Sequence, residues 1–311
     1  MNAKEMLRPS VVTSVGTNSP VFEQLFNLLK QWGHCDLILD RELSDPLLAE
    51  LTEHASAHPV LPINPQKAAL PLDECLMLAR LRVQHLSLLD RSIEISLAQN
   101  SDPTRPARAI GGWLFSRDVA PKDVVKRLEK AMVVSLPDAA PDSLLRLWDP
   151  RVIGHLTRIL TPAQVANAIG PMACWAWIDR AGRLRLLESA AHATPTYVSP
   201  SLMLNVEQDA AIDRIEHINT LLKTLAGLGH AVDPDCDAEL DALLLVARSK
   251  GHVTPVDMLA YCLHALLISE NFDAIPDVQR VVAEAKIHGL GLCAALEKFD
   301  DSFWARHTDH V

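Results

Sequence analysis

The 311-residue chain is long enough for one large domain or two modest ones, and its 49% apolar and 22% charged residues exclude a disordered or coiled-coil protein. A net charge of -10 at pH 7, with no run of clustered Lys and Arg, excludes nucleic acid as the expected partner, because phosphate recognition needs concentrated cations. The opening MNAKEMLRPSVV carries Glu5, Arg8 and Pro9 and does not read as a signal peptide. LAYCLHALLI, the longest apolar run near the C-terminus, is about half a membrane span, so no membrane partner is expected.

Proline placement punctuates the chain. Ser19-Pro20, Asp45-Pro46, Asp149-Pro150, Thr161-Pro162 and Thr254-Pro255 each precede an apolar pattern of helical period. A short polar side chain there caps free backbone N–H groups, and proline's fixed φ suits the first helical position. Thr161 with Gln164 and Thr254 with Asp257 add the spacing of a capping box. Phe22, Leu25, Phe26 and Leu29 form the stripe of the first helix. Strands are expected at 36–40 (DLILD), 59–63, 110–115 (IGGWLF) and 144–148, short runs bounded by charges or turn residues. Residues 173–178 and 183–188 flank Asp-Arg-Ala-Gly as a hairpin, and 74–83 read equally as strand or helix. This alternation predicts an α/β (mixed α+β) domain over residues 1–200.

After SAAHATPTYVSPS the pattern changes. From residue 205 only helical periods follow: Ile212 to Leu225, ended near Gly227 and Gly229; Leu240 to Ala247, ended by Gly251; Met258 to Leu267; and two more from Pro276 and from about Leu290. An all-α helical lobe over 201–311 is expected, and no internal repeat is visible.

Few residues promise chemistry. Cysteines at 35, 75, 174, 236, 262 and 293 form no CxxC pair and read as reduced, buried thiols of a cytosolic protein. His34-Cys35-Asp36 resembles a nucleophile constellation, but neighbours on a strand point to opposite faces, so His34 does not reach Cys35. His54 and His58 are spaced to chelate a metal, yet lack the HExxH glutamate and a third ligand. DPDCDAELD departs from a calcium loop, with Ala238 at the sixth position and Leu244 at the twelfth. There is no GxSxG, phosphate loop or dinucleotide fingerprint, and Gly111-Gly112 reads as a bulge or a close approach. No cofactor, metal site or catalytic residue is expected.

SLLRLWDPRVIGHL, residues 143–156, stands apart. Leu144 to Trp148 reads as a strand, Asp149 as the cap of the next helix and Pro150 as its first residue. Arg151 then lies in a first turn, where the helix dipole disfavours a cation by a few tenths of a kcal/mol, and Arg146 lies in a strand interior. Either the arginines pair with acids, Asp149 among them, and lock the junction, or they contact a partner.

LLRLWDPRVIGHLTRILTPAQVANAIGPMACWAW resembles the signature of the domain of unknown function 4123 family, through Arg146, Trp148, Asp149, Pro150, Arg151, Gly170, Pro171 and Trp175. Leu147 stands where an aromatic is usual. CDLILDRELSDPLLAEL, through Asp40, is similar to the family's opening block, and GGWLFS to its middle strand. The resemblance spans roughly residues 20–190, and the helical lobe resembles the family's variable extensions. It implies an adaptor chaperone of bacterial type VI secretion, which binds a toxic effector in the cytoplasm and loads it onto the VgrG spike. The alternatives are an immunity or inhibitor protein that binds a toxin and, further off, a thiol or metal hydrolase.

Overall fold

Each proline-marked start becomes a helix, and each apolar run between them finds a strand partner. The computed structural model describes residues 7–8, 19–41, 43, 45–53, 60–65, 76–105, 107–135, 143–170, 172–188 and 202–308. The chain divides into two compact units, Thr13–Ile212, and Asp213–Val311 together with Met1–Val12.

In the first unit the central element is a six-stranded antiparallel sheet. Its strands are β2 (His34–Asp40), β3 (Leu61–Ile63), β4 (Leu76–Arg82), β5 (Ile110–Ser116), β8 (Met172–Ile178) and β9 (Leu184–Glu188), in the order β3-β4-β2-β5-β8-β9. The ambiguous 74–83 is thus a strand followed by a 3-10 turn at Val83–His85.

Side-chain alternation sends Leu37, Leu81, Trp113 and Ile178 to one face. There they pack under α1 (Pro20–Trp32), α2 (Asp45–Glu53) and α3 (Leu86–Asn100). Ile38, Leu78, Leu114 and Trp175 go to the other face. They meet α4 (Pro121–Ala131), α5 (Pro150–Ile159) and α6 (Pro162–Ile169). Helices on both faces explain why β5 is buried along its whole length although the sheet is antiparallel. The fold is mixed α+β.

A smaller sheet lies on the α5 side. β6 (Val133–Ser135) pairs with β7 (Ser143–Leu144) and, in parallel, with β10 (Leu202–Met203). Here the sequence reading needs correction. The strand expected over 144–148 pairs only at Ser143–Leu144 and gives way to a turn, in which Leu147 N–H donates to Leu145 O and Asp149 N–H to Arg146 O. The alternation that suggested a strand is real, since Leu145 and Leu147 are buried, but among the described residues no neighbour continues the ladder.

The predicted caps are present where they are described. Ser19, Asp149, Thr161 and Thr254 each accept a backbone N–H of their own helix, and Thr161 and Gln164 complete the capping box. At Thr254 the hydroxyl caps Asp257 N–H, while the Asp257 carboxylate receives Cys293 N–H at 2.9 Å.

The second unit consists mainly of helices, as expected. α7 (Val206–Gly227) carries the division between the units, and α8 (Asp237–Ser249), α9 (Pro255–Leu267) and α10 (Pro276–Ile287) follow. The segment from Leu290 forms two short helices rather than one, α11 (Leu292–Leu296) and α12 (Asp301–His307). The Asp300 carboxylate accepts Phe303 N–H and so starts a new helix. Two residues depart from the helical pattern: β11 (Ala231–Val232) pairs antiparallel with β1 (Leu7–Arg8). The core joins Leu225, Leu240, Leu244 and Phe272, with rings of His264, Phe299, Phe303 and Trp304 stacked or edge-on around it. Among the described residues no helix is long and apolar enough to cross a membrane.

Candidate functional site

Residues 145–151 are fixed from both ends. Leu145 N–H donates to Met132 O at 2.7 Å, and Leu145 and Leu147 sink into the core between the sheet and α5. Leu147, where an aromatic was the expectation, is therefore a core position. Arg146 turns outward, its guanidinium 5.7 Å from the ring centroid of Trp148, which is half-buried and packs against the same core.

Asp149 is the pivot. It is 3% exposed and accepts Arg151 N–H at 3.0 Å, Arg151 Nε at 2.9 Å and, on its second oxygen, Arg151 Nη2 at 2.7 Å. One carboxylate thus caps α5 and grips the arginine of the helix's own first turn in a two-pronged pair. That pairing offsets the unfavourable dipole position. Burial acts to raise the Asp149 carboxyl, but the hydrogen bond and charge of Arg151 hold it below the ordinary carboxylate value. Arg146 is placed in a turn rather than a strand interior; it is half exposed and lies 3.8 Å from the same Asp149 oxygen that Arg151 holds.

Of the other residues of the resemblance, the GGWLFS strand and Trp175 meet this junction, and the rest stand on their own elements. Gly111 is the extra residue of a bulge, where Ile38 faces Gly112 and Leu39 faces Ile110. A Cβ on it would stand 2.8 Å from Trp148 O, so only glycine admits the approach. Trp175 Nε1 donates to Gly111 O at 3.2 Å, tying β8 into the same contact. Gly170 ends α6 at φ +63, with Arg127 lying over the space its side chain would fill; Arg127 in turn donates to Asn167. Pro150 is buried at the first position of α5. Asp40 ends β2, where its N–H donates to Ala109 O and its carboxylate accepts Leu43 N–H. Pro171 lies outside the described residues.

Three features escaped the sequence reading. Arg108, in DPTRPARAI, is 5% exposed and donates to the main-chain oxygens of Asp102, Arg105 and Ala107. Arg151 Nη1 reaches the same Arg105 oxygen at 3.4 Å. Asp36 and Arg80, opposite one another on β2 and β4, form a buried pair with contacts of 2.7 and 2.8 Å, and Arg80 also donates to Val119 O. Gln208, at the start of α7, exchanges hydrogen bonds with Gln164 and donates to Ile159 O.

The remaining candidates are chemically quiet. His34 and Cys35 sit on opposite faces; burial pushes the Cys35 thiol far up, and the thiols of Cys174 and Cys262 up to about 12. His34 Nε2 lies 3.5 Å from Ser116 Oγ, Ser116 is 1% exposed, and Asp36 is paired with Arg80. Asp233 closes its own turn on Asp235 N–H. Among the described residues no three His, Cys, Asp or Glu side chains form a metal-binding group. His54 and His58 lie outside them.

Searched against known protein families, curated proteins and solved structures, the chain matches none of them.

Proposed function

We propose that the chain is an effector-loading adaptor of type VI secretion: it binds a toxic effector in the cytoplasm, promotes its loading onto the VgrG spike, and is not an enzyme. The observation that supports this reading is the junction around Asp149. Residues that carry the resemblance, distant in the chain, meet there, with Arg146 exposed and Arg151 and Trp148 half-buried beside it. Arginine and tryptophan are the side chains that protein interfaces favour most. Such a junction presents a shape and a charge, as a binding module does.

The helical unit complements it. Of twelve large apolar side chains exposed among the described residues, seven fall in this unit, including Val253, Val256, Ile287 and Leu290. Helical faces vary their anchors without disturbing a fold, so we assign effector choice to this unit and spike engagement to the sheet unit.

The test is co-purification of the tagged chain from its native cell. Recovery of VgrG and of an effector encoded beside it is the expected result. Recovery of a toxin alone, with its activity blocked, would instead make the protein an immunity factor, and recovery of neither partner would end the adaptor reading.

A further inference from the structure

A cavity of about 470 Å³ lies wholly within the helical unit, in the size range of small-ligand sites. It is walled by the turn before α9, by α9 and α10, and by the loop into α11. Val282, Leu290 and Leu292 give it apolar sides, and His252, Asp257 and Lys286 bring polar groups to it.

Two of these polar groups are deeply set and incompletely matched. Asp257 is 9% exposed; its Oδ1 accepts Cys293 N–H at 2.9 Å, and among the described residues its Oδ2 accepts no hydrogen bond. Gly291 keeps room for this carboxylate, since a Cβ there would stand 2.5 Å from both oxygens. His252 is 8% exposed with its ring stacked on Tyr261, and among the described residues neither ring nitrogen has a hydrogen-bond partner. Lys286 is exposed and makes no ion pair among the described residues, with Asp257 or with any other carboxylate. Buried polar groups ordinarily find partners, and a nearly buried carboxylate calls for a cation. The charges of Lys286 and Asp257 both bear on the His252 ring, in opposite directions. Burial, and then Lys286, holds that ring below its ordinary 6.5, so at neutral pH it offers one donor and one acceptor.

We propose that this cavity binds a free aliphatic α-amino acid, its ammonium on Asp257, its carboxylate on Lys286 and its side chain against Val282, Leu290 and Leu292. Opposite charges line the cavity without neutralising one another, so a ligand of one charge leaves a lining group unmatched. A zwitterion matches both. Apolar walls with a few convergent polar groups are the usual means of fixing a small ligand's orientation. The cavity belongs to the helical unit alone, and its occupancy does not depend on the adaptor reading.

Full-length protein is titrated calorimetrically with L-leucine, and separately with isoamylamine and isocaproate, which are leucine without its carboxylate and without its ammonium. Leucine is expected to bind with a Kd below about 1 mM, at least tenfold tighter than either analogue. Lys286→Gln, at an exposed side chain, should weaken leucine at least fivefold with an unchanged melting temperature. Asp257→Asn, which keeps an acceptor for Cys293 N–H, should weaken it at least tenfold. Absence of saturable leucine binding, or wild-type affinity in Lys286→Gln, would overturn the proposal. So would either analogue binding as tightly as leucine; isoamylamine doing so would make the cavity a seat for a partner's basic side chain instead.

Discussion

The sheet unit and the helical unit are stabilised by different means. In the sheet unit several buried or half-buried polar side chains are paired with one another: Asp36 with Arg80, Asp149 with Arg151, Gln164 with Gln208. Each fixes a register, a helix start or a segment, and each tolerates few replacements, because removing one partner strands the other. The helical unit relies on apolar helix stripes and a nest of rings, with several ion pairs left toward solvent, such as Arg280 with Asp277 and Glu284. The first unit is built to keep one arrangement, and the second has freedom to change its exterior.

The comparison is sharpened most by Asp36→Ala. It leaves Arg80, a 9% exposed side chain, with only the Val119 oxygen, and should destabilise the sheet unit by about 3–5 kcal/mol in chemical denaturation. A loss below about 1 kcal/mol would show that the buried pair merely replaces packing. Asp149→Ala is expected to cost about 2 kcal/mol, since it removes a helix cap and frees an arginine that still reaches water. Wild-type thermal stability of that variant would contradict the locked junction.

Acid should then distinguish the His264 core from the Asp149 junction. Burial depresses His264 below its ordinary 6.5, against the smaller opposing pull of the Ala260 carbonyl. The unfolded chain therefore takes up the proton first, and the stability His264 contributes is whole above 6.5 and drains as pH falls below it toward the depressed value. Asp149, also depressed, contributes stability that is whole above 3.8 and is lost only as pH falls below that value. Melts between pH 7 and 5 should weaken the helical unit, where burial also depresses His252, before the junction, and His264→Phe should diminish that early step. An unchanged pH profile in His264→Phe would refute it. The smallest effect is expected at the surface: Val256→Ser and Ile287→Ser should each alter stability by no more than about 0.5 kcal/mol while weakening effector capture. A large stability loss would mean that these side chains belong to the fold.

What could be read in advance was local. A cap is written within four residues, so Ser19, Thr161 and Thr254 announced their helices, and β2 and β5 declared themselves as apolar runs. Pairings across the chain carried no such mark. Asp36 meets Arg80 only once β2 and β4 are in register, and Arg108 in a proline-containing loop reads as a solvated charge until its carbonyl partners close around it. The strand expected at 144–148 failed for the same reason: alternation shows which side chains are buried, but a ladder needs a neighbour, and only Ser143–Leu144 have one. The Asp149–Arg151 pair, by contrast, was legible because both partners sit in one turn.

The pairing of Leu7–Arg8 with Ala231–Val232 sets an order on how the molecule is made. Leu7–Arg8 belongs to a unit whose other described parts follow the sheet unit in the chain. Leu7–Arg8 must wait while the sheet unit is synthesised, and the short ladder closes only once Ala231–Val232 has followed it. Transplanting the helices after Asp213 into another scaffold therefore means moving two separate stretches of gene, because one strand of the graft is encoded ahead of the sheet unit.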